Sequence, residues 1–150
     1  MRVVIQRVSR AEVKVNEKIC GKIAKGFMVL LGVEEHDTEE DVTWLSNKIV
    51  NQRLFPDLDN KMNLSIKAID GEVLLISQFT LYASTKKGNR PSFTKAAKPE
   101  KAKFLYQKMI NQLSQDLGKK IETGVFGEDM KVSLVNDGPV TIMMDSRNRE

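Results

Sequence analysis

Apolar positions recur along this chain at two periods, and each change of period marks an element. Arg2–Val8 and Ala11–Val15 alternate as strands, the second placing Ala11, Val13 and Val15 on one face. Lys18–Ala24 and Phe27–Val33 read as two more, with Lys25-Gly26 to turn the chain between them. Thr38 then opens a helix. Its hydroxyl suits an N-cap, acids fill the first turn, and Val42, Leu45, Ile49 and Val50 return on one face. Arg53–Ser65, with Pro56 and several turn formers, reads as a loop. Glu72–Phe79 is nearly continuous in apolar residues, as a central strand buried on both faces must be. Pro99 suits the first turn of a second helix, whose core face is Ala102, Leu105, Tyr106, Met109, Ile110, Leu113 and Leu117, and Gly118 ends it. Ile121–Thr123, Met130–Val135 and Val140–Met144 supply the last strands. The pattern predicts an α/β layered domain, strand-dominated, with two main helices covering one side. No repeat or long linker divides the chain, so residues 1–150 read as a single domain.

Composition narrows this only a little. With 41% hydrophobic and 29% charged residues the chain falls among ordinary soluble globular proteins. The longest apolar run, Gly26–Val33, is strand-length, and polar residues interrupt the N-terminal segment too soon for a signal peptide, so no membrane association is expected. The one cysteine, Cys20, cannot form an intramolecular disulfide, which fits a reducing compartment and makes the cytoplasm the expected location. Charge changes the picture more. Ser84–Lys103 carries seven cations against Glu100 alone, so this stretch holds +6 of a net +4 and leaves the remainder at −2. Such a segment is either a lysine-rich solvated face or the footprint of a polyanion such as RNA phosphate.

Candidate chemistry is sparse. His36 is the sole histidine and Cys20 the sole cysteine, so one chain cannot build a zinc site of usual composition, and no metal is expected. His36 sits in the acidic run "VEEHDTEED" and reads as a solvated surface residue, while Cys20 reads as a small hydrophobe of a strand. Phosphate-binding and dinucleotide glycine fingerprints are absent. Two clusters remain. In "ISQFTLYAS", Ser77, Gln78 and Thr80 interrupt an apolar strand, so they either satisfy nearby backbone or line a pocket. In "KVSLVNDGPVTIMMD", Asn136-Asp137-Gly138-Pro139 separates two alternating runs, and Pro139 removes a donor where pairing should resume. That tetrapeptide is either punctuation or a loop tip shaped for use.

Those two clusters, "SQFTL" at Ser77–Leu81 and "NDGPVT" at Asn136–Thr141, resemble the two signature motifs of the D-aminoacyl-tRNA deacylase family, formerly called D-tyrosyl-tRNA deacylase. "MRVVIQRVSRAEVKV", "RLFPD" (Arg53–Asp57), "KMNLS" (Lys61–Ser65) and "KGNRPSF" (Lys87–Phe93) are similar to that family as well, in order along the whole chain. The resemblance implies an enzyme that hydrolyses the ester between a D-amino acid and the 3′-terminal adenosine of tRNA, without metal or other cofactor. It implies a homodimer with active sites at the subunit interface, aminoacyl-tRNA as the partner molecule, and a DTD-like fold. By resemblance Ser77, Gln78, Phe79 and Thr80 form the pocket wall. Gly138-Pro139 carries a cis peptide and enters the other subunit's pocket.

Within that frame the backbone N–H groups of Phe79 and Thr80 are candidate oxyanion donors, and Thr80 is a candidate nucleophile that lacks a base. Gln78 is expected to place the terminal adenosine or ribose, and Lys86, Lys87 and Arg90 to meet tRNA phosphates. Main-chain exclusion of L-residues predicts acceptance of many D-amino acids, and of glycine as a secondary substrate. A non-catalytic RNA-binding module and a deacylase of relaxed chirality are the competing readings.

Overall fold

The computed structural model describes residues 1–150. Its first element is longer than the hydrophobic pattern predicts. Arg2–Val15 forms one 14-residue strand, β1, rather than two. It pairs antiparallel with β2 (Lys18–Ile23) through its second half and with β3 (Gly26–Gly32) through its first. Asn16 and Glu17 make the β1–β2 turn at positive φ, 48° and 63°.

Helix α1 (Glu39–Asn51) begins as its sequence dictates. The Glu40 N–H donates to Thr38 Oγ1 at 3.3 Å, and the Thr38 N–H donates to Asp41 Oδ2 at 2.8 Å, closing a capping box. Val42, Leu45, Ile49 and Val50 are buried. Within the expected loop 53–65 two short strands, β4 (Phe55–Pro56) and β5 (Met62–Leu64), pair antiparallel. The central strand β6 (Glu72–Ser77) lies parallel to β3 and stops two residues early, because Phe79–Tyr82 coil into a 3-10 turn. Helix α2 (Pro99–Leu117) starts with Pro99 and ends at Gly118, whose φ of 78° favours a residue without Cβ. Ala102 and Ile110 only half-bury, while the remaining expected core positions of α2 are covered. β7 (Glu122–Thr123) extends the sheet parallel to β6. No helix is long and apolar enough to cross a membrane.

The last strand departs furthest from expectation. Lys131–Asp145 runs as one 15-residue strand, β8, antiparallel to β1 over nearly its whole length. Asn-Asp-Gly-Pro is therefore not a turn between two strands but a bulge within one. Gln6 pairs with Thr141 and Val8 with Asn136, so four residues of β8 face Arg7 alone.

β1 is one strand yet serves two cores, and a second irregularity in its pairing with β8, between Val8 and Arg10, makes that possible. Val3 and Ile5 point to the large cluster built with α1 and α2; Val8, on the opposite face, and then Ala11 and Val13 point to a second cluster with Ile23, Met28, Leu74 and Ile76. From Val8 to Arg10 β1 advances two residues while β8 advances one, from Asn136 to Val135, so the faces of β1 reverse there and the strand becomes a shared wall. Cys20 is exposed on β2, contrary to its reading as a hydrophobe, because Gly21 and Ile23 are the positions β2 turns inward.

The ends of β1 and β8 are tied by charge. Arg2 Nε donates to Asp145 Oδ2 at 2.8 Å, and Asp145 Oδ1 accepts from the Arg147 N–H at 2.9 Å. Burial opposes ionisation of Asp145, but these donors outweigh it and hold the carboxyl below its ordinary 3.8. A folded value below the unfolded one means the contribution is complete above pH 3.8 and is lost as the pH falls through the lower, folded value. Asp145→Asn should therefore melt at a lower temperature near neutral pH, and lose less on acidification from about pH 5 to about pH 2 than the parent. Equal acid losses in thermal melts of both proteins would contradict this assignment.

Candidate active site

β6 delivers the first cluster. Its apolar run fixes the strand in the middle of the sheet, and the chain leaves it at Ser77 and Gln78, both half-buried, before coiling at Phe79. The Gln78 N–H donates to Leu31 O at 2.7 Å, the last rung toward β3. The Leu81 N–H is the first to bond back within the 3-10 turn, to Gln78 O at 3.2 Å. The N–H groups of Phe79 and Thr80 precede that first bond, so the turn itself gives them no acceptor. The Gln78 amide donates to Thr80 Oγ1, and Thr80 is exposed. Thr80 thus has an amide for a neighbour and no basic group among its hydrogen-bond partners. The polar cluster lies at the end of the strand and beyond it, where burial is incomplete.

Ser77, Gln78 and Phe79 open onto a cavity of about 510 Å³ whose walls are mainly apolar. Phe93, Ala97, Ala102, Tyr106 and Phe126 build the rest, and Lys98 contributes the one charged side chain. Tyr106 shows how the wall is fixed. Its hydroxyl donates to Leu75 O at 2.8 Å, pinning α2 to β6 just before Ser77, and burial pushes its pKa up. The volume lies within the range that holds small-molecule ligands, and aromatic walls with few polar groups suit a planar, nucleoside-sized group. Lys86, Lys87 and Arg90 stand exposed on the loop that leads into Phe93.

The second cluster is elsewhere. Gly138 and Pro139 are exposed, their shared peptide bond is cis, and neither lines the cavity. Ser77 pairs with Leu31, Leu31 with Val3, and the bulge lies opposite Arg7 on the far side of β1. Four residues along β1 and three strand spacings across the sheet put the bulge roughly 20 Å from Ser77. One chain therefore does not bring the two motifs together.

Arg7, which the sequence pattern assigned only to a strand face, holds the bulge in shape. Only 9% exposed, its guanidinium donates from Nη1 to Leu54 O at 2.6 Å and from Nε to Asp137 O at 3.0 Å, with Asp137 Oδ2 at 3.5 Å. Asn136 closes the loop from inside, its Oδ1 accepting from the Val140 N–H at 3.2 Å and its Nδ2 donating to Thr141 Oγ1 at 3.0 Å. Gly138 has φ 126°, and a Cβ there would stand 2.8 Å from Arg7 Nη2. Only glycine fits against the clamp. The sequence signal for Arg7 was faint: a cation at an inward position of a strand that otherwise buries Val3 and Ile5.

Comparison with known proteins bears on the two motifs together. The family described as D-Tyr-tRNA(Tyr) deacylase matches residues 4–145. A D-aminoacyl-tRNA deacylase of Flavobacterium psychrophilum is 59% identical over 150 residues, covering 100% of both chains. One of Bacteroides thetaiotaomicron is 57% identical with the same coverage. Among solved structures, one described as a c-Myc DNA unwinding element binding protein superposes with a TM-score of 0.89 at 38% identity, covering 97% of this chain and 98% of that one. A probable eukaryotic D-amino acid tRNA deacylase superposes with a TM-score of 0.83 over 95% of this chain and 97% of its own; at 16% identity it speaks to the fold alone.

The Arg7 clamp has a measurable consequence. Arg7→Met leaves Leu54 O and Asp137 O without their donor and is expected to destabilise the fold by about 1–3 kcal/mol. Amide exchange at Val140 should accelerate more than exchange in the paired run of β1 and β3. Unchanged exchange at Val140 would show that the bulge is held by something else.

Proposed function

The chain belongs to the D-Tyr-tRNA(Tyr) deacylase family, and on that membership we propose that it is a D-aminoacyl-tRNA deacylase, an ester hydrolase that frees D-amino acids from tRNA. The observation that carries the reading is the placement of Ser77, Gln78 and Phe79 at the rim of an apolar, aromatic-walled cavity beside a basic loop. The cavity takes the 3′-terminal adenosine, with Gln78 placing its base or ribose. Lys86, Lys87 and Arg90 meet the phosphates that follow, which supplies affinity without reading sequence.

The working unit in this reading is a homodimer in the cytoplasm, where aminoacyl-tRNA is used. A bulge some 20 Å from its own cavity can serve chemistry only at another copy's. The bulge is exposed and lies on the β8 strand, whose Val135 and Met143 are exposed by 40% and 74%, as a surface awaiting a partner would be. Gly138 and Pro139 enter the partner's pocket, their carbonyls engage the substrate's α-amino group, and backbone occupies the side of Cα where an L-side chain would stand. A D-side chain points outward. Exclusion by main chain ignores side-chain identity, so many D-amino acids pass, and glycine, having no side chain, passes too.

In the chemical step a positioned water attacks the ester carbonyl, assisted by the ribose 2′-OH, and the ester C–O bond breaks to return the 3′-OH and a free amino acid. The unpaired N–H groups of Phe79 and Thr80 receive the developing oxyanion. Thr80 has no base to activate it, so its hydroxyl is not the nucleophile.

A second reading has one observation in its favour. The solved relative at 38% identity is described by its binding to DNA, and a basic loop serves nucleic-acid binding with or without catalysis. Ester loss from D-tyrosyl-tRNA and L-tyrosyl-tRNA separates the possibilities. Selective loss of the D-ester is expected; loss of neither would leave a binding module, and comparable loss of both a deacylase without a chiral gate. Thr80→Ala should keep near-normal turnover, whereas abolished turnover with intact folding and tRNA binding would restore the hydroxyl as nucleophile. KM for D-tyrosyl-tRNA should rise steeply with salt, and Lys87→Ala should reduce that log–log slope by about 1. A flat salt dependence would remove the basic loop from the tRNA interface.

A further inference from the structure

The pocket has two unlike rims. On one side the β3–α1 loop meets the start of α2 with its charges paired: Glu34 Oε1 lies 3.3 Å from Arg147 Nε, Glu35 O accepts from Lys101 Nζ, and Glu35 Oε2 accepts from the Lys98 N–H at 3.3 Å. On the other side stands the basic loop, drawn into a closed finger by Ser84 and Ser92. The Ser84 N–H donates to Ser92 O at 2.7 Å, and the Ser92 N–H donates to Ser84 O at 2.9 Å. A phosphodiester strand leaving the pocket is drawn to the second rim, where Ser84–Phe93 carries Lys86, Lys87 and Arg90 and no carboxylate. The residue at the junction of finger and pocket is Phe93, which follows Ser92 directly and lines the cavity.

Phe93 is held by a second aromatic ring. Its centroid lies 5.1 Å from that of Phe79 with the planes at 73°, an edge-to-face pair. Such a pair uses one face of one ring, which leaves other faces open at the mouth. Phe79 is 57% exposed although it is a large apolar side chain. Its backbone N–H is assigned to the chemistry above, and its ring stands at the cavity rim with more than half of its surface in solvent.

We propose that the Phe79–Phe93 pair is a stacking platform for the base of the penultimate nucleotide, so that the site grips a dinucleotide end rather than one aminoacylated nucleoside. The proposal rests on the deacylase reading, in which the terminal adenosine fills the pocket. From there the strand must pass Phe93 to reach Lys86, Lys87 and Arg90, and the first base outside the pocket arrives at the aromatic pair. Stacking tolerates any base, which suits an enzyme whose substrates share an invariant end.

Three D-tyrosyl esters test this: of adenosine, of cytidylyl-adenosine, and of the same dinucleotide with an abasic 5′ residue. The two dinucleotides carry the same phosphate, so their difference reports the base alone. In the parent protein the cytosine-bearing ester should have kcat/KM about tenfold above the abasic one, chiefly through KM. In Phe93→Leu, which keeps an apolar wall, the advantage should shrink to about twofold or less. As a check that needs no variant, 2-aminopurine at the penultimate position of a non-hydrolysable 3′-amide dinucleotide should be quenched on binding. Equal rates for the two dinucleotides, an undiminished advantage in Phe93→Leu, or unquenched 2-aminopurine would each overturn the platform while leaving hydrolysis of the adenosine ester intact. Failure to hydrolyse any D-ester would overturn the deacylase reading, and the platform with it.

Discussion

A buried guanidinium sits where this structure changes direction. Arg7 lies at the point where β1 passes from one core to the other, and its charge cannot be left without partners at 9% exposure. It finds them in two carbonyls from different parts of the chain, Leu54 before β4 and Asp137 in β8. The bulge exists because β8 must spread four residues around this one side chain before its pairing resumes at Thr141. The same side chain fills the space a Cβ on Gly138 would need. Core, clamp and exposed tip are therefore one arrangement, and a change in any of the three reaches the others.

The cavity has a separate origin. β6 is buried on both faces and stops abruptly at Ser77, with Tyr106 fastening α2 to the strand at Leu75. Backbone that leaves a sheet in a tight turn carries donors that no neighbouring strand accepts, and Ser77, Gln78 and Phe79 line a pocket with mainly apolar walls. In the proposed reaction, chemistry by positioned backbone and by the substrate itself makes use of that combination. It agrees with a chain that has one histidine, exposed in the β3–α1 loop, and no titratable base on Thr80.

Each motif is visible in the sequence as an interruption of a pattern, and the second reads there as a break between two strands. Asn136–Pro139 looked like a connection because glycine and proline usually end a strand, and a long strand that bulges presents the same local sequence as two short ones. Val8–Arg10 hid a single strand in the same way. Phe55–Pro56 and Met62–Leu64 are too short to show a period, so their pairing was invisible. Arg7 escaped notice because a strand position predicts burial of the side chain but not which distant carbonyls will meet it.

Local sequence sets the elements with clear periodicity: the start of α1 near Thr38, both ends of α2 near Pro99 and Gly118, the buried strand at Glu72, and the two polar motifs with their family. These are local properties, set by capping, by apolar spacing and by residue identity. That Phe93 closes on Phe79, that Tyr106 anchors β6, and that Gly138 stands on the far side of the sheet from Ser77 are set by the assembled fold. Those relations depend on register between strands distant in the chain, and register is a collective outcome of packing that no single stretch of sequence contains.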